Sequence, residues 1–234
     1  MGRITYQTLR SFTYSNDKLI KGDIKGLVVE FTGLGASQMR DDTERARKLA
    51  EKGVIHIVPY NDPWCWMNDR AIAYTDEIID VLFEHYNLPD DLPIVSTGGS
   101  MGGLSSLVYT RYAKRTPVTC VSNCPVCDLP YHYTERPDLP RTLYNAFFYA
   151  EDLDEAMRKH SPMHLVKEMP DIEYHLFHCE WDTAVRINMH SIPFYEAMKE
   201  GHNITFDKVP ERGHCSLSPE AAKKYEEYIF SAFN

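Results

Sequence analysis

Basic residues are in short supply. Lysine and arginine number 25 against 34 aspartates and glutamates, which gives the 234-residue chain a net charge of −9. Nucleic acid is bound mainly through Lys and Arg contacts to phosphates, so this balance argues against nucleic acid as a partner and also against an anionic membrane surface. Long apolar runs are missing too. Nowhere do eighteen apolar residues follow one another, and the opening stretch MGRITYQTLRSF holds no apolar run of signal-peptide length. Gly2 does not open a myristoylation signal, because Tyr6 stands where Ser or Thr is required. No internal repeat, low-complexity segment or extended charge run is found. The expectation is a cytoplasmic protein with no membrane partner, in which Cys65, Cys120, Cys124, Cys127, Cys179 and Cys215 are reduced thiols rather than a disulfide framework.

What is present suits one soluble domain over residues 1–234, with 43% hydrophobic and 25% charged residues. Short apolar runs predict strands at Leu27–Phe31, Val54–Val58, Ile94–Thr97, Val118–Ser122, Ile172–Phe177 and Ile204–Val209. Several are nearly continuous, as in strands buried on both faces of a parallel sheet. Amphipathic patterns between them predict helices from Asp41–Asp42 to Gly53, from Asp69 to Tyr86, over Leu104 to Tyr112, and from Ser218 as N-cap with Pro219 in the first turn. Alternating strands and helices imply an α/β fold with a mostly parallel sheet. Thr5–Thr13 reads as an extra strand, antiparallel at an edge. From 125 to 167 the chain spends about forty residues between two strands, far more than one helix and two loops require. That stretch is rich in aromatics and is expected to be a helical lid inserted before the penultimate strand.

Glycine is scarce, with 12 in all, yet four stand among the six residues from Gly98 to Gly103. Gly98-Gly99-Ser100-Met101-Gly102 fits G-x-S-x-G between a predicted strand and a predicted helix. Such a turn lifts a serine above the sheet and aims the helix N-terminus at what reacts there. The neighbouring glycines remove side chains that would collide. Ser100 is therefore the candidate nucleophile. A serine needs a base, and the base needs an orienting acid. His214 follows the last strand in a polar loop, GHCSLSP, and is the candidate base. Asp182, at the polar end of YHLFHCEWDTAV, is the candidate acid, and the order Ser100, Asp182, His214 matches this strand–turn–helix architecture. Glu180 and Asp128 stay open as alternative acids, and His178 as a rival base. Cys124-Pro-Val-Cys127 lacks a second C-x-x-C to complete a metal site.

On these motifs the chain resembles the α/β-hydrolases over residues 25 to 234, with Cys179 where the family's H-G-x-x-D segment has glycine. It is similar to small esterases related to prolyl-oligopeptidase-type hydrolases. The resemblance implies an oxyanion hole built from the backbone amides of Met101 and of Leu34, in FTGLGAS, with Gly35 as the alternative to Leu34. It implies hydrolysis of carboxylic esters with no cofactor and no metal. Trp64 and Trp66 follow the Val54–Val58 strand and are candidate substrate-binding residues at the same edge of the sheet. The expected substrate is a small-molecule ester with a short acyl chain and a soluble alcohol, such as an acylated sugar or aromatic ester. A small peptidase with the same triad and a non-catalytic small-molecule receptor are the alternatives.

Overall fold

A computed structural model describes residues 4–35, 38–39 and 41–234. Parallel strands β2 (Gly26–Phe31), β3 (Val54–Pro59), β4 (Ile94–Gly99), β5 (Thr119–Asn123), β6 (Glu173–Cys179) and β7 (Asn203–Val209) are joined by a short antiparallel strand, β1 (Thr13–Ser15), paired with β3. Among the described residues these seven strands form one sheet in the order β1-β3-β2-β4-β5-β6-β7. Side chains alternate along each strand. Leu27, Val29 and Phe31 therefore pack against α2 (Asp69–Tyr86) and α3 (Met101–Tyr112). Val28, with Val54, Val95 and Val121, packs on the other face against α1 (Glu44–Glu51) and α9 (Pro219–Ser231). Each such fully buried Val, Leu or Ile contributes about 1.5–3 kcal/mol, which explains why the strands read as apolar runs.

The helix ends follow their capping chemistry. Asn68 accepts from the amide of Ala71 and opens α2, while Ser218 accepts from Ala221 and opens α9 with Pro219 in its first turn. Asn87, at a φ of 49°, closes α2 in the left-handed conformation. Between β5 and β6 lie α4 (Leu129–Glu135), α5 (Leu139–Phe147), α6 (Leu153–Lys159) and α7 (Pro162–Leu165). Their Leu129, Leu143, Phe147 and Met157 share the core of α2 and α3.

Two expectations need correction. The predicted strand Thr5–Thr13 is largely a turn and a short 3-10 helix (Leu9–Ser11), and the edge strand begins only at Thr13. The Thr8 hydroxyl accepts from the amide of Thr5, while the Thr8 amide donates to the Thr5 carbonyl, so local bonds replace a ladder. A further helix, α8 (Ser191–Met198), stands between β6 and β7, where none was predicted. Pro193 masked it, although proline is tolerated in a first turn.

The strand order decides where the chain's chemistry collects. After β2 the chain moves to β3, then crosses back over β2 to β4. The loops leaving β2 and β4 therefore flank a topological switch point at the carboxyl edge of the sheet. Their approach is close. A Cβ at Gly102 would lie 2.1 Å from the Phe31 carbonyl oxygen, and one at Gly98 would lie 2.4 Å from the Gly102 carbonyl. Gly102→Ala is expected to lower the urea midpoint, at a cost of about 1–3 kcal/mol or more. Gly22→Ala, where a Cβ meets nothing within 4 Å, serves as the control and is expected to leave the midpoint unchanged or slightly raised.

Candidate active site

Ser100 sits between β4 and α3 at φ 60° and ψ −124°, a conformation that L-residues rarely adopt. Its amide donates to the Asn123 carbonyl (2.9 Å), which ties the turn to β5. Met101 opens α3, so its amide is one of the first-turn donors left without an intrahelical acceptor. The loop after β2 runs alongside: a Cβ on Gly33 would come within 3.8 Å of the Ser100 Cβ. In that loop the Gly35 amide is committed to the Pro63 carbonyl (2.9 Å), which favours Leu34 over Gly35 as a donor to the site. Residues 36–37 of the same loop lie outside the described residues.

The acid and base candidates come from the ends of β6 and β7. Two backbone bonds tie their loops together, from Glu180 to Val209 and from Trp181 to Arg212, each 2.9 Å. His214 Nδ1–H donates to Asp182 Oδ2 (2.6 Å), and His214 Nε2 lies 2.8 Å from Ser100 Oγ, whose hydroxyl donates to it when the ring is neutral. Asp182 Oδ1 accepts from the amides of Ala184 and Val185, both at 2.9 Å. His178, fully buried, stands behind the acid. Its Nε2–H donates to the Val185 carbonyl (2.9 Å) and lies 3.4 Å from Asp182 Oδ2, while its Nδ1 accepts from Ser191 (2.7 Å). Burial alone would raise the Asp182 carboxyl, but bonds from His178, His214 and Val185 hold it well below the usual carboxylate range.

Burial likewise opposes a charge on His214. The bond to Asp182 and the nearby Cys124 outweigh it, and the imidazole is raised from 6.5 to about 9.

The rival residues are otherwise engaged. Asp128 caps α4 through the amide of Tyr131, Glu180 is exposed, and His178 serves the acid loop. Cys124 and Cys127 pack in separate clusters, Cys124 with Val121 and Phe177, Cys127 with Leu107 and Cys120, so they form no chelating pair. Trp66 requires a correction. It is 1% exposed, packed in the core, and donates its indole N–H to Thr142 of α5 (3.1 Å), which leaves no face for a ligand. Trp64 is half-buried with the Arg141 guanidinium over its ring. The third tryptophan, Trp181, was not singled out in the sequence; it is 63% exposed and adjoins Asp182. Ser191 was also missed, because no spacing signal links it to His178, and Cys215 was passed over although it directly follows His214.

A second titratable group, His132, Glu135 and His190, is buried beside the acid loop. His190 Nδ1 accepts from the Cys127 amide (3.1 Å), so its Nε2 carries the proton and donates to Glu135 (3.1 Å). A metal-bound imidazole shows the reverse polarity. This group is a hydrogen-bonded cluster in which the rings surround the Glu135 carboxylate.

The raised His214 value fixes a sign. Below about 9 the ring is protonated and cannot accept from Ser100, so any reaction that needs it as base rises with pH through an alkaline limb. The stability that the imidazolium draws from Asp182 is complete below 6.5 and fades as pH passes about 9. A ring titration followed by NMR is expected to give about 9. In Asp182→Asn the value is expected to fall, because burial remains while the counter-charge of Asp182 is gone.

No family model and no curated protein compared with the sequence gives a match. Solved structures do. The chain is similar to an acylaminoacyl peptidase in complex with a chloromethyl ketone, at 17% identity and a TM-score of 0.68, covering 90% of this chain and 37% of that one. It is similar to an S-formylglutathione hydrolase from Agrobacterium tumefaciens at 15% identity and TM-score 0.69, covering 90% and 84%. Esterase B from Lactobacillus rhamnosis aligns at 13% identity and TM-score 0.70, covering 91% and 76%. The chain thus spans about 37% of the peptidase and most of the other two chains. A seven-stranded, mostly parallel sheet flanked by helices, a serine at the β4–α3 turn and these likenesses together establish that the chain has the α/β-hydrolase fold.

Proposed function

We propose that the protein is a serine hydrolase acting on carboxylic esters of soluble alcohols through an acyl-enzyme on Ser100. The observation that carries this reading is the continuous relay from Ser100 Oγ to His214 to Asp182, at 2.8 and 2.6 Å. Ser100 attacks the carbonyl carbon while His214 takes its proton at Nε2. Asp182 holds Nδ1–H and so selects the tautomer whose Nε2 is a base. The amides of Met101 and Leu34 receive the oxyanion, each such donor being worth on the order of 3 kcal/mol. His214 then returns the proton to the leaving alcohol, and water, activated by the same nitrogen, releases the acid. No metal or cofactor takes part.

The substrate side rests on the helices of residues 125–167, read as a lid. Glu135 of α4 accepts from the Arg186 amide (3.3 Å), which sets this segment against the acid loop. Its aromatic residues are interrupted by His132, Glu135, Arg136, Asp138 and Arg141, so the segment forms no long apolar helix of the interfacial kind. A small and partly polar acyl site follows. Trp64, and Trp181 beside Asp182, offer flat faces to the alcohol part. No helix among the described residues is long and apolar enough to cross a membrane, and the six cysteines stand as free thiols, which suits a reducing, cytoplasmic setting. The neighbours named esterase and S-formylglutathione hydrolase support the ester reading, and the acylaminoacyl peptidase keeps a small peptidase as the alternative.

Fluorophosphonate labelling tests the nucleophile. Wild type is expected to label and Ser100→Ala not to label, with ester turnover falling by at least roughly four orders of magnitude and the fold retained. Labelling that persists in the variant would move the nucleophile elsewhere, and an unlabelled wild type would leave the receptor reading. With p-nitrophenyl esters, kcat/KM is expected to peak between acetate and butyrate and to fall by octanoate. Faster cleavage of acyl-peptide anilides than of these esters would replace the esterase with a peptidase.

A further inference from the structure

Two thiols that the proposed hydrolysis leaves unused stand beside its base. Cys215 Sγ lies 3.7 Å from His214 Nε2, and Cys124 Sγ, Cys215 Sγ and a ring nitrogen of His214 all lie within 4.8 Å of one another. Cys124 and Cys215 both have positive φ, 45° and 55°, in the loops that follow β5 and β7. The loops thus bring two sulfurs and one imidazole to a single point, although the residues are far apart in sequence.

We propose that Cys124, Cys215 and His214 form a binding site for a soft divalent cation, Zn2+ foremost, whose occupation takes Nε2 away from Ser100 and switches the enzyme off. Three observations support it. Zinc–sulfur and zinc–nitrogen bonds of about 2.3 and 2.05 Å at tetrahedral angles place sulfur and nitrogen about 3.6 Å apart, close to the Cys215–His214 separation. The ring is already presented as in a carboxylate–histidine–zinc unit: Nδ1–H is held by Asp182 at 2.6 Å, which directs the Nε2 lone pair toward the thiols and Ser100. The set also has a way in. Cys215 is half-exposed and, with Gly98, Gly99 and Asn123, lines a cavity of about 250 Å3 on the α9 side of the elbow. Asn123 carries a buried Oδ1 without a hydrogen-bond partner, an acceptor for a water in the fourth position on the ion.

A donor set of two sulfurs and one imidazole selects zinc or cadmium over magnesium or calcium. On binding, both thiols and, where the ring is protonated, Nε2 lose their protons to solvent, and the two sulfurs and Nε2 each donate a lone pair, so affinity rises with pH. The Ser100 hydroxyl loses its acceptor at the same moment, since the ion occupies the lone pair it used. Binding itself stands on geometry; only its inhibitory consequence rests on Ser100 and His214 acting as nucleophile and base.

The test uses the reduced full chain, cleared of metal by a chelator. Zn2+ titrated calorimetrically is expected to bind one equivalent, Cd2+ to give thiolate charge-transfer absorption, and ester hydrolysis to fall in step with loading and return with chelator. Cys215→Ala is expected to keep hydrolysis, lose the cadmium band, and weaken zinc binding by more than the roughly 10–100-fold typical of an outer-shell partner. Cys124→Ala, checked for folding by circular dichroism, is expected to do the same to binding. Ser100→Ala is expected to bind zinc at least as tightly as wild type. A cadmium band without fluorophosphonate labelling would leave the metal site standing and remove the hydrolase reading. Absence of the band in wild type, or zinc affinity unchanged in both cysteine variants, would overturn the site.

Discussion

The rest of the site depends on the backbone at Ser100. A residue held at φ 60° and ψ −124° costs about 1–3 kcal/mol and persists only where its surroundings leave no alternative. Here β4 is paired on both sides, the Ser100 amide is held by Asn123, and the Gly102 turn lies against the Phe31 carbonyl. That packing leaves no volume for side chains at Gly98 or Gly102, and it sets the direction of Oγ, the start of α3 and the distance to the loop after β2 together. Relaxing the turn would displace all three at once.

Electrostatics are built outward from Asp182 in the same interlocked way. Two backbone amides and two histidines surround its carboxylate, and His178 is itself anchored to Ser191 at the start of α8. The acid therefore remains ionised in a buried position, and its charge is what raises His214. A helix with no chemistry of its own thus supports the acid through one hydroxyl.

The helices of residues 129–165 join this arrangement through a second buried carboxylate. Glu135 accepts from His132 (2.7 Å), His190 (3.1 Å) and the Arg186 amide, and it is held down to about 2 although burial pushes it up. It therefore stays charged across the range in which proteins fold and function. Its contacts reach the loop that carries Asp182 from one side and the first residue before α8 from the other. Movement of α4 would be felt at the acid, so the helical segment and the relay are mechanically linked.

Much of this was legible in one dimension where the signal is local. Strands buried on both faces read as apolar runs, capping residues marked α2 and α9, and G-x-S-x-G between a strand and a helix marked the nucleophile candidate, because a tight turn constrains only its own neighbours. Position after a strand also sufficed to nominate Asp182 and His214, since parallel strands deliver every such loop to one edge of the sheet. What depended on side-chain packing was not legible. Trp64 and Trp66 are alike in sequence, yet one is half-buried under Arg141 and the other is sealed against Thr142. Cys124 and Cys127 read as a pair and pack apart, whereas Cys124 and Cys215, ninety-one positions apart, meet at the His214 ring. Sequence determined which loops reach the edge; tertiary structure alone decided which atoms face each other there, because those distances are set by packing between segments that share no local pattern.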